Sequence, residues 1–339
     1  MSLEYVTILE YLWIDGNGEL RSKTRVLNNT VGIYNLESIP IWNYDGSSTS
    51  QASSDGNTEV ILVPCKYFRN PLINTKVESF IVLCETYDTN MIPLLSNHRH
   101  NAVKIFHKKE DEKPWFGIEQ EYVMIHTSNN NENKCLSNDG KHYCGTQLNS
   151  IERLIAEEHM VCCLKAGIKC CGLNAEVLKS QWEFQVGICG GIDAADHLIV
   201  ARFLLERIAE KYNVIISYYP KLYIDKNGTG CHTNFSTAKT RSNGGIDVIY
   251  KYMKSLKEKH SEHIAVYGEH NDKRLTGMHE TSSYCEFTFG IGTRNTSVRI
   301  PSQVASDGYG YFEDRRPAGN CDPYKVTAMI FQTCCIDNT

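Results

Sequence analysis

The chain has 339 residues, 41% of them hydrophobic and 22% charged, with a formal net charge of −5 and a pI near 6.2. This is ordinary globular composition, enough for one large or two average domains, and it gives no electrostatic reason to expect nucleic acid or an anionic membrane as a partner. No apolar run reaches bilayer-spanning length.

The N-terminal stretch MSLEYVTILEYLWIDGNG lacks the basic region that opens a signal peptide, and the terminal CCIDNT is not a prenylation signal, so a cytoplasmic location is expected. Fourteen cysteines fall into no zinc-site spacing. Cys162-Cys163, Cys170-Cys171 and Cys334-Cys335 are adjacent doublets in apolar segments, which suits free buried thiols in a reducing compartment.

Residues 1–88 read as a β-rich unit. The runs YVTILEYLWI, LRSKTRVL, VILVPCKYF and SFIVLCETYD favour strands, with turn signals at DGNGE, DGSSTSQASSDGN and NPLINT. NHRHNAVKIFHKKEDEKP then predicts a short helix and a charged connector, a plausible domain boundary. Beyond Trp115, strands and helices mix. SIERLIAEEHMVCCLKAG has helical spacing and stops at Gly167; DAADHLIVARFLLERIAEKY is a second helix with Asp193 as N-cap; GGIDVIYKYMKSLKEKHSEH is a third. Between and after them, QWEFQVGI, VIISYYP, CHTNFST, YCEFTFGIG and TSVRIP predict strands. The pattern is that of an α+β domain on a mainly antiparallel sheet.

Two carboxylates interrupt the strand-forming run WFGIEQEYVMI, Trp115 to Ile125. Residues two apart in a strand share a face, so Glu119 and Glu121 point the same way. Like charges that close are costly unless a proton or a cation lies between them. A half-exposed strand with an acidic solvent face is the alternative. The oddity recurs: Glu183 sits between Trp182 and Phe184, and a turn through LKS would bring Glu176 toward it. His232 follows a Gly-rich lead into a strand, and Glu313 lies among aromatics in YGYFEDRRP. Each alone is more often a satisfied polar residue. Together they would leave a strongly negative interior, and carboxylates with a single imidazole suit hard cations, Mg²⁺ or Mn²⁺. Arg274, Arg294, Arg299, Arg315 and Arg316 cluster in the same half of the chain. Guanidinium groups beside divalent cations are what a transferred phosphoryl group needs, whereas surface salt bridges are the bland alternative. No GxxxxGK[ST] phosphate loop, kinase-type glycine loop or G-x-S-x-G elbow is present.

The motifs NYDGSST, WFGIEQEY, GLNAEV…QWEFQVG, GTGCHTNFST, RLTGMHETSS, SVRIP and GYFEDRRPAGNCDPY, in this order and spacing, resemble glutamine synthetase of the eukaryotic type, from about Leu12 to Cys335. The resemblance implies an N-terminal β-grasp domain over 1–90 and a larger catalytic α+β domain of the guanido-kinase-like, glutamine synthetase type over 91–339. It implies an ATP-dependent ligase that makes L-glutamine from L-glutamate and ammonia through γ-glutamyl phosphate.

By the same resemblance, Glu121, Glu176 and Glu183 match the ligands of a tighter divalent cation, and Glu119, His232 and Glu313 those of one that arrives with ATP. Arg294 matches a contact to glutamate and phosphate, Arg299 a nucleotide-phosphate contact, and Arg274 and Arg315 positions that hold the glutamate carboxylates and the phosphoryl intermediate. Asn227 and Gly228 match the grip on the amino acid, with Tyr143 also on the substrate. Asn234, Phe235, Ser236 and Tyr311 match nucleotide-binding positions. Glu280 matches a flap residue that shields the intermediate. Asp45 matches the aspartate that binds ammonium and takes its proton, reaching the site from a neighbouring subunit, which implies a homo-oligomer, a decamer of two pentameric rings. Departures lie at AEVLKSQ, CGTQLNSIERLI, Lys273 and Ser302 and in the short C-terminal end. They bear on ring packing and regulation more than on the reaction. A γ-glutamyl-amide ligase, a silent ring-forming protein and a γ-glutamyl kinase are the alternatives; the complete ligand and arginine set speaks against the second, and Asp45 with Glu280 against the third.

Overall fold

The computed structural model describes residues 6–28, 35–53, 56–73, 76–127, 141–146 and 150–337. The chain divides into two compact units, Met1–Asn101 with Val161–Ile168, and Ala102–Met160 with Lys169–Thr339. Parts of the turns expected over 45–57 and 70–75, namely 54–55 and 74–75, lie outside the described residues.

The first unit contains β1 (Val6–Ile14), β2 (Leu20–Asn28), β3 (Trp42–Asp45), β4 (Glu59–Arg69) and β5 (Glu78–Tyr87). Among the described residues these form a five-stranded sheet in the order β2-β1-β5-β4-β3. β1 and β5 are parallel and the other neighbours antiparallel. Leu9, Tyr11 and Trp13 alternate along β1 and meet Val60, Leu62, Phe80 and Val82 in one apolar cluster, as period-two patterning requires. The β1–β2 turn is held by Asp15, whose Oδ1 accepts from the N–H groups of Asn17 at 2.8 Å and Glu19 at 3.0 Å. β2 is an edge strand, and Arg21, Lys23 and Arg25 keep that edge charged.

After α1 (His98–His107), the second unit runs β6 (Trp115–His126), α2 (Ile151–Ala166, whose last turns fall in the first unit), β7 (Cys170–Ala175), β8 (Gln181–Gly190), α3 (Asp193–Glu210), β9 (Val214–Ser217) and β10 (Cys231–Ser236). It continues through α4 (Gly245–Glu258), α5 (His260–Val266), β11 (Phe289–Ile291), β12 (Val298–Ile300), α6 (Ser302–Asp307), β13 (Phe312–Asp314) and α7 (Pro323–Phe331). Among the described residues the strands form one sheet in the order β11-β12-β13-β10-β6-β8-β7, with β9 paired to the far end of β6. Only β11 and β12 run parallel. The mixed α+β, mainly antiparallel architecture expected from the sequence is present.

One face of this sheet is apolar and packs on helices. Phe116, Ile118 and Tyr122 of β6, Trp182, Phe184 and Val186 of β8, and Phe235 and Phe312 are all buried. α3 lies against β6, β8 and β9, and it is apolar around most of its surface because it is buried on most sides. Its Arg202 reaches under the sheet, where Nε donates to Oε1 of Gln120 at 2.9 Å, Nη1 to the Cys321 carbonyl at 2.9 Å and Nη2 to the Gly319 carbonyl at 3.0 Å. Gln120, the residue between the two strand carboxylates, is thereby pinned on the face opposite to them.

Some elements differ from the sequence reading. Asp193 is the first residue of α3 rather than its cap; Ile192 occupies the cap position and makes no side-chain bond. The third helix breaks at Lys259 into α4 and α5. At the break His260 Nε2 bonds the Tyr284 carbonyl at 3.0 Å, and His263 turns inward to bond Thr333 Oγ1 at 2.9 Å. Of YCEFTFGIG only Phe289–Ile291 is strand, since its pairing extends no further along β12. α7 begins with Pro323 behind an Asp322 cap whose Oδ1 accepts from Tyr324 N at 2.8 Å, a start signal legible in the sequence but not used above. Among the described residues no helix is long and apolar enough to cross a membrane, and the cysteines are unbridged.

His159 of α2 is buried against the Phe184 ring at 4.7 Å, and its Nε2 donates to the Ala201 carbonyl at 2.9 Å. Burial pushes its pKa from 6.5 down to about 4. The unfolded chain therefore takes up this proton near pH 6.5 and the folded chain only near pH 4, so stability is complete above pH 6.5 and falls through that window. The expected loss from this residue between pH 7 and pH 5 is about 2 kcal/mol. Denaturant unfolding at both pH values should show His159→Gln losing less on acidification than the parent; an equal loss contradicts the assignment.

Candidate active site

On the face of the second sheet away from α3, registers decide which side chains meet. Glu121 pairs with Glu183, and Glu119 with Gln185, across β6 and β8. On the other side of β6, His232 of β10 pairs with Glu119. Next along the sheet, Asn234 pairs with Glu313 of β13, and Glu313 with Arg299 of β12. Paired residues in antiparallel strands share a face, so these side chains form one polar patch opposite an apolar one. Glu176 follows β7, and its N–H bonds the Gln181 carbonyl at 2.9 Å, closing the turn expected through LKS.

Each carboxylate has a different set of partners. Glu121 Oε2 accepts from Gly230 N at 2.7 Å. Glu119 Oε1 accepts from Asn234 Nδ2 at 2.8 Å. Glu313 is fully buried, bonded by Arg315 Nη1 at 2.7 Å and by Arg299 Nε. Burial and the nearby Glu121 push Glu176 up to about 8. Burial, with Glu119 and Glu121 close by, pushes Glu183 up to about 9. These last two have no cation bonded to them among the described residues. His232 Nδ1 lies 3.6 Å from Glu119 Oε2 and 3.5 Å from Glu313 Oε1. Burial and the guanidinium of Arg315 lower its pKa to about 3, so the ring is neutral and able to ligate.

This donor set fits divalent cations. Glu119, His232 and Glu313 offer ligand atoms within 4.8 Å of one another. Glu121, Glu176 and Glu183 line the same pocket, and the upward shifts of Glu176 and Glu183 show that burial and neighbouring carboxylates disfavour their ionised forms while no cation among the described residues is bonded to them. Oxygen donors with one imidazole are the hard-cation pattern.

The arginines form part of the wall of the same pocket. Arg315 Nε donates to the Arg294 carbonyl at 3.1 Å and Nη2 to the Glu280 carbonyl at 3.3 Å. Arg294 Nη1 lies 3.5 Å from Glu280 Oε2. Arg274 is buried, and its hydrogen bonds go to neutral acceptors: the Arg315 and Arg316 carbonyls at 3.1 and 3.3 Å and His232 Nε2 at 3.0 Å. His279 and Glu280 both take left-handed backbone, φ 53° and 62°, a conformation that non-glycine residues adopt at a cost and that marks functional segments. Behind this wall Arg316 forms a two-point pair with Asp314, Nε to Oδ1 at 2.9 Å and Nη2 to Oδ2 at 2.7 Å. With Asp314 and Arg316 held below, Glu313 and Arg315 face the pocket.

The other expected residues are distributed as follows. Tyr143, Asn227 and Gly228 line the pocket. Tyr311 is exposed beside β13, its phenol raised by burial and by Glu119. Ser236 Oγ accepts from Arg241 Nη1 at 2.9 Å. The Phe235 ring is fully buried on the apolar face, 5.0 Å from the Phe116 ring and 5.6 Å from that of Phe312, so its side chain is withdrawn from any ligand. Asp45 belongs to the first unit, exposed at the end of β3, where its Oδ1 accepts from Ser47 N at 2.9 Å and Ser47 Oγ at 2.7 Å; these bonds hold its pKa below the usual range.

Sequence reasoning missed Asn174, Gln181, Gln185, His279 and Thr281, which line the same pocket. Gln181 and Gln185 lie two residues either side of Glu183, so strand periodicity could have found them. Asn174 faces Glu183 across β7, a strand the sequence reading did not assign.

An antiparallel sheet with buried carboxylates on its polar face and arginines in the same pocket suits an enzyme that acts on anionic substrates together with cations. Residues 98–335 match the family model described as glutamine synthetase, catalytic domain. The chain is 54% identical over 336 residues to a glutamine synthetase-like protein of Acanthamoeba polyphaga mimivirus, covering 97% of this chain and 94% of that one. It is 47% identical to the glutamine synthetase of Neurospora crassa, over 96% of this chain and 91% of the relative, and 45% identical to that of Saccharomyces cerevisiae, over 98% and 90%. The chain belongs to the glutamine synthetase family, eukaryotic type, ligases that form glutamine from glutamate and ammonia with ATP and divalent metals.

Gly230 brings the backbone close under the pocket: a methyl there would lie 2.5 Å from Arg274 Nη2 and 2.7 Å from His232 Nε2. Gly230→Ala should displace both side chains and lower turnover at least tenfold, with far-UV circular dichroism unchanged. Parent-like turnover would show that neither position is critical.

Proposed function

We propose that this chain joins ammonia to the γ-carboxylate of L-glutamate through γ-glutamyl phosphate, with ATP as phosphoryl donor and two divalent cations, Mg²⁺ or Mn²⁺. The observation that carries the reading is the juxtaposition of Glu119, His232 and Glu313, with ligand atoms within 4.8 Å, and Arg299 and Arg315 bonded to the last of them. Glu121, Glu176 and Glu183 would hold one cation and Glu119, His232 and Glu313 the other. Bound there, divalent cations supply positive charge to the phosphate oxygens and to the carboxylates around them.

In the first step an oxygen of the glutamate γ-carboxylate attacks the γ-phosphorus and the bond to ADP breaks. Arg294, Arg299 and Arg315 line the side on which the transferred charge develops, where preorganised donors contribute most. In the second step ammonia attacks the acyl carbon and phosphate leaves. The proton lost from ammonium passes to Asp45, supplied by a neighbouring subunit, with Tyr143 near the substrate. Glu280 sits on the strained loop and closes the pocket against water, which protects an acyl phosphate from hydrolysis. Asn227, the Gly228 carbonyl and Arg274 hold the amino acid end. Asn234, Ser236, the backbone of Phe235, and Tyr311 hold the nucleotide.

Arg274 has a further part in this reading. A neutral imidazole has one hydrogen for two nitrogens. Were His232 to hold a cation through Nδ1, its hydrogen would sit on Nε2 and Arg274 would have to let go of that atom. The guanidinium would then be available to a substrate carboxylate.

The subunit-sharing of Asp45 requires a ring, and a decamer of two pentamers in the cytoplasm is the proposed state. The five-stranded unit is read as its β-grasp domain, over 1–90, with the catalytic domain over 91–339.

Phosphate release from Mg·ATP, with glutamate and ammonium omitted in turn, should require all three substrates and match glutamine one to one; release that ignores ammonium contradicts the ligase. Glu121→Ala and Asp45→Ala homomers should each lose at least a hundredfold in turnover. Co-assembled, the two variants should recover activity, because some sites then combine an intact Asp45 with an intact Glu121. Absence of recovery in mixed rings would rule out sharing of Asp45.

A further inference from the structure

Gln181 opens β8 and is 1% exposed, yet it lines the active-site pocket. Its Nε2 donates to Glu121 Oε2 at 3.3 Å and to the Gly228 carbonyl at 3.0 Å. Its Oε1 is buried and has no hydrogen-bond partner among the described residues. Oxygen and nitrogen of an amide are assigned from their neighbours, and here the neighbours decide: both are acceptors that carry no hydrogen, so turning the amide over would set three acceptors against one another. Oε1 is therefore held away from Glu121 and Gly228, and a buried acceptor left without a donor is unfavourable.

No donor among the described residues reaches the corner that holds Oε1. Glu121 and the Gly228 carbonyl both accept from Gln181, and Glu176, at the far side of the turn, receives its bonds from Asn174 Nδ2 at 3.0 Å and Val177 N at 3.2 Å. A group that completes this corner must bring N–H bonds and positive charge. Of the groups the proposed reaction admits, ammonium itself is assigned to Asp45, which leaves the α-ammonium of the amino-acid substrate, with three such hydrogens. It lies at the opposite end of that molecule from the γ-carboxylate, which must face the arginines.

We infer that Gln181 Oε1 accepts a hydrogen bond from the α-ammonium group of the amino-acid substrate, and that Gln181 thereby selects α-amino dicarboxylates over the same chain without the amino group. This rests on the reading that L-glutamate is the substrate and adds a specificity-determining residue to it. The same amide also steadies Glu121 through Nε2, and the test has to separate the two effects.

The test compares the Kd of L-glutamate with that of glutarate, its analogue without the amino group, by calorimetry on the full-length oligomer with Mg²⁺ and a non-hydrolysable ATP analogue. Two variants are used: Gln181→Met, which removes donor and acceptor without adding charge, and Gln181→Lys, which keeps a donor for Glu121 and Gly228 but replaces the acceptor by a positive charge, so that the neutral variant reads the lost hydrogen bond free of charge repulsion. Both should weaken glutamate binding about ten- to a hundredfold, the usual range for a hydrogen bond to a charged donor, with glutarate changed less than about threefold. Glutarate binding also reports that each variant is folded. Equal weakening of both ligands, or a loss that follows Mn²⁺ affinity instead, overturns the inference and assigns Gln181 to positioning Glu121. A parent protein that binds glutarate as tightly as glutamate overturns the substrate reading beneath it.

Discussion

The second unit depends on one strand, β6, which is buried on both faces and different on each. Below it, Gln120 is fixed by the guanidinium of Arg202, which also binds the Cys321 and Gly319 carbonyls. Above it, Glu119 and Glu121 face the pocket, with β8 and β10 paired on either side. A slip of one residue would put two carboxylates into the apolar face and a glutamine into the pocket. The buried arginine opposes that slip, because losing Gln120 would leave a desolvated cation without its side-chain partner. The same alternation operates in β13, where the Asp314–Arg316 pair lies below and Glu313 faces the pocket.

The charges above the sheet are divided unevenly, and that division gives the site its chemistry. Glu313 has two arginines, Glu280 faces Arg294, and Glu119 and Glu121 take neutral donors. Glu176 and Glu183 take neutral donors as well but lie deep among other carboxylates, which raises their pKa values. A protein that only had to be stable would gain from replacing such groups by apolar ones. In the proposed reading, ligands that bring positive charge account for their presence. Arg274, bonded to neutral acceptors among the described residues, is the complementary case, a buried cation that the same reading pairs with a ligand bringing negative charge.

Much of this was legible in the sequence, and for physical reasons. The long strand-forming run 115–126 and the apolar run of α3 are long enough to carry their type openly. Carboxylates flanked by aromatics, as at Glu183, stand out because burial there is costly without a partner. Elements of three or four residues carry too little pattern to be assigned with their register: β9, β11 and β12 were placed only within the longer runs VIISYYP, YCEFTFGIG and TSVRIP, and β3 and β13 were not placed. The break at Lys259 arises from tertiary bonds made by His260 and His263 that no local signal announces. The buried ring of Phe235 shows the limit of matching motifs: a position matched to the nucleotide turns its side chain to the core. The unpartnered oxygen of Gln181 is a property of packing alone, invisible until Glu121 and the Gly228 carbonyl are seen to occupy its nitrogen.

The central claim is that the pocket's carboxylates are arranged for two cations rather than for protons or salt bridges. The most direct measurement is a Mn²⁺ titration followed by electron paramagnetic resonance, counting ions bound per chain with and without ADP. Two ions per chain, the weaker of them tightened by the nucleotide, is the predicted result. A single ion, or none at millimolar Mn²⁺ in a folded protein, would contradict it.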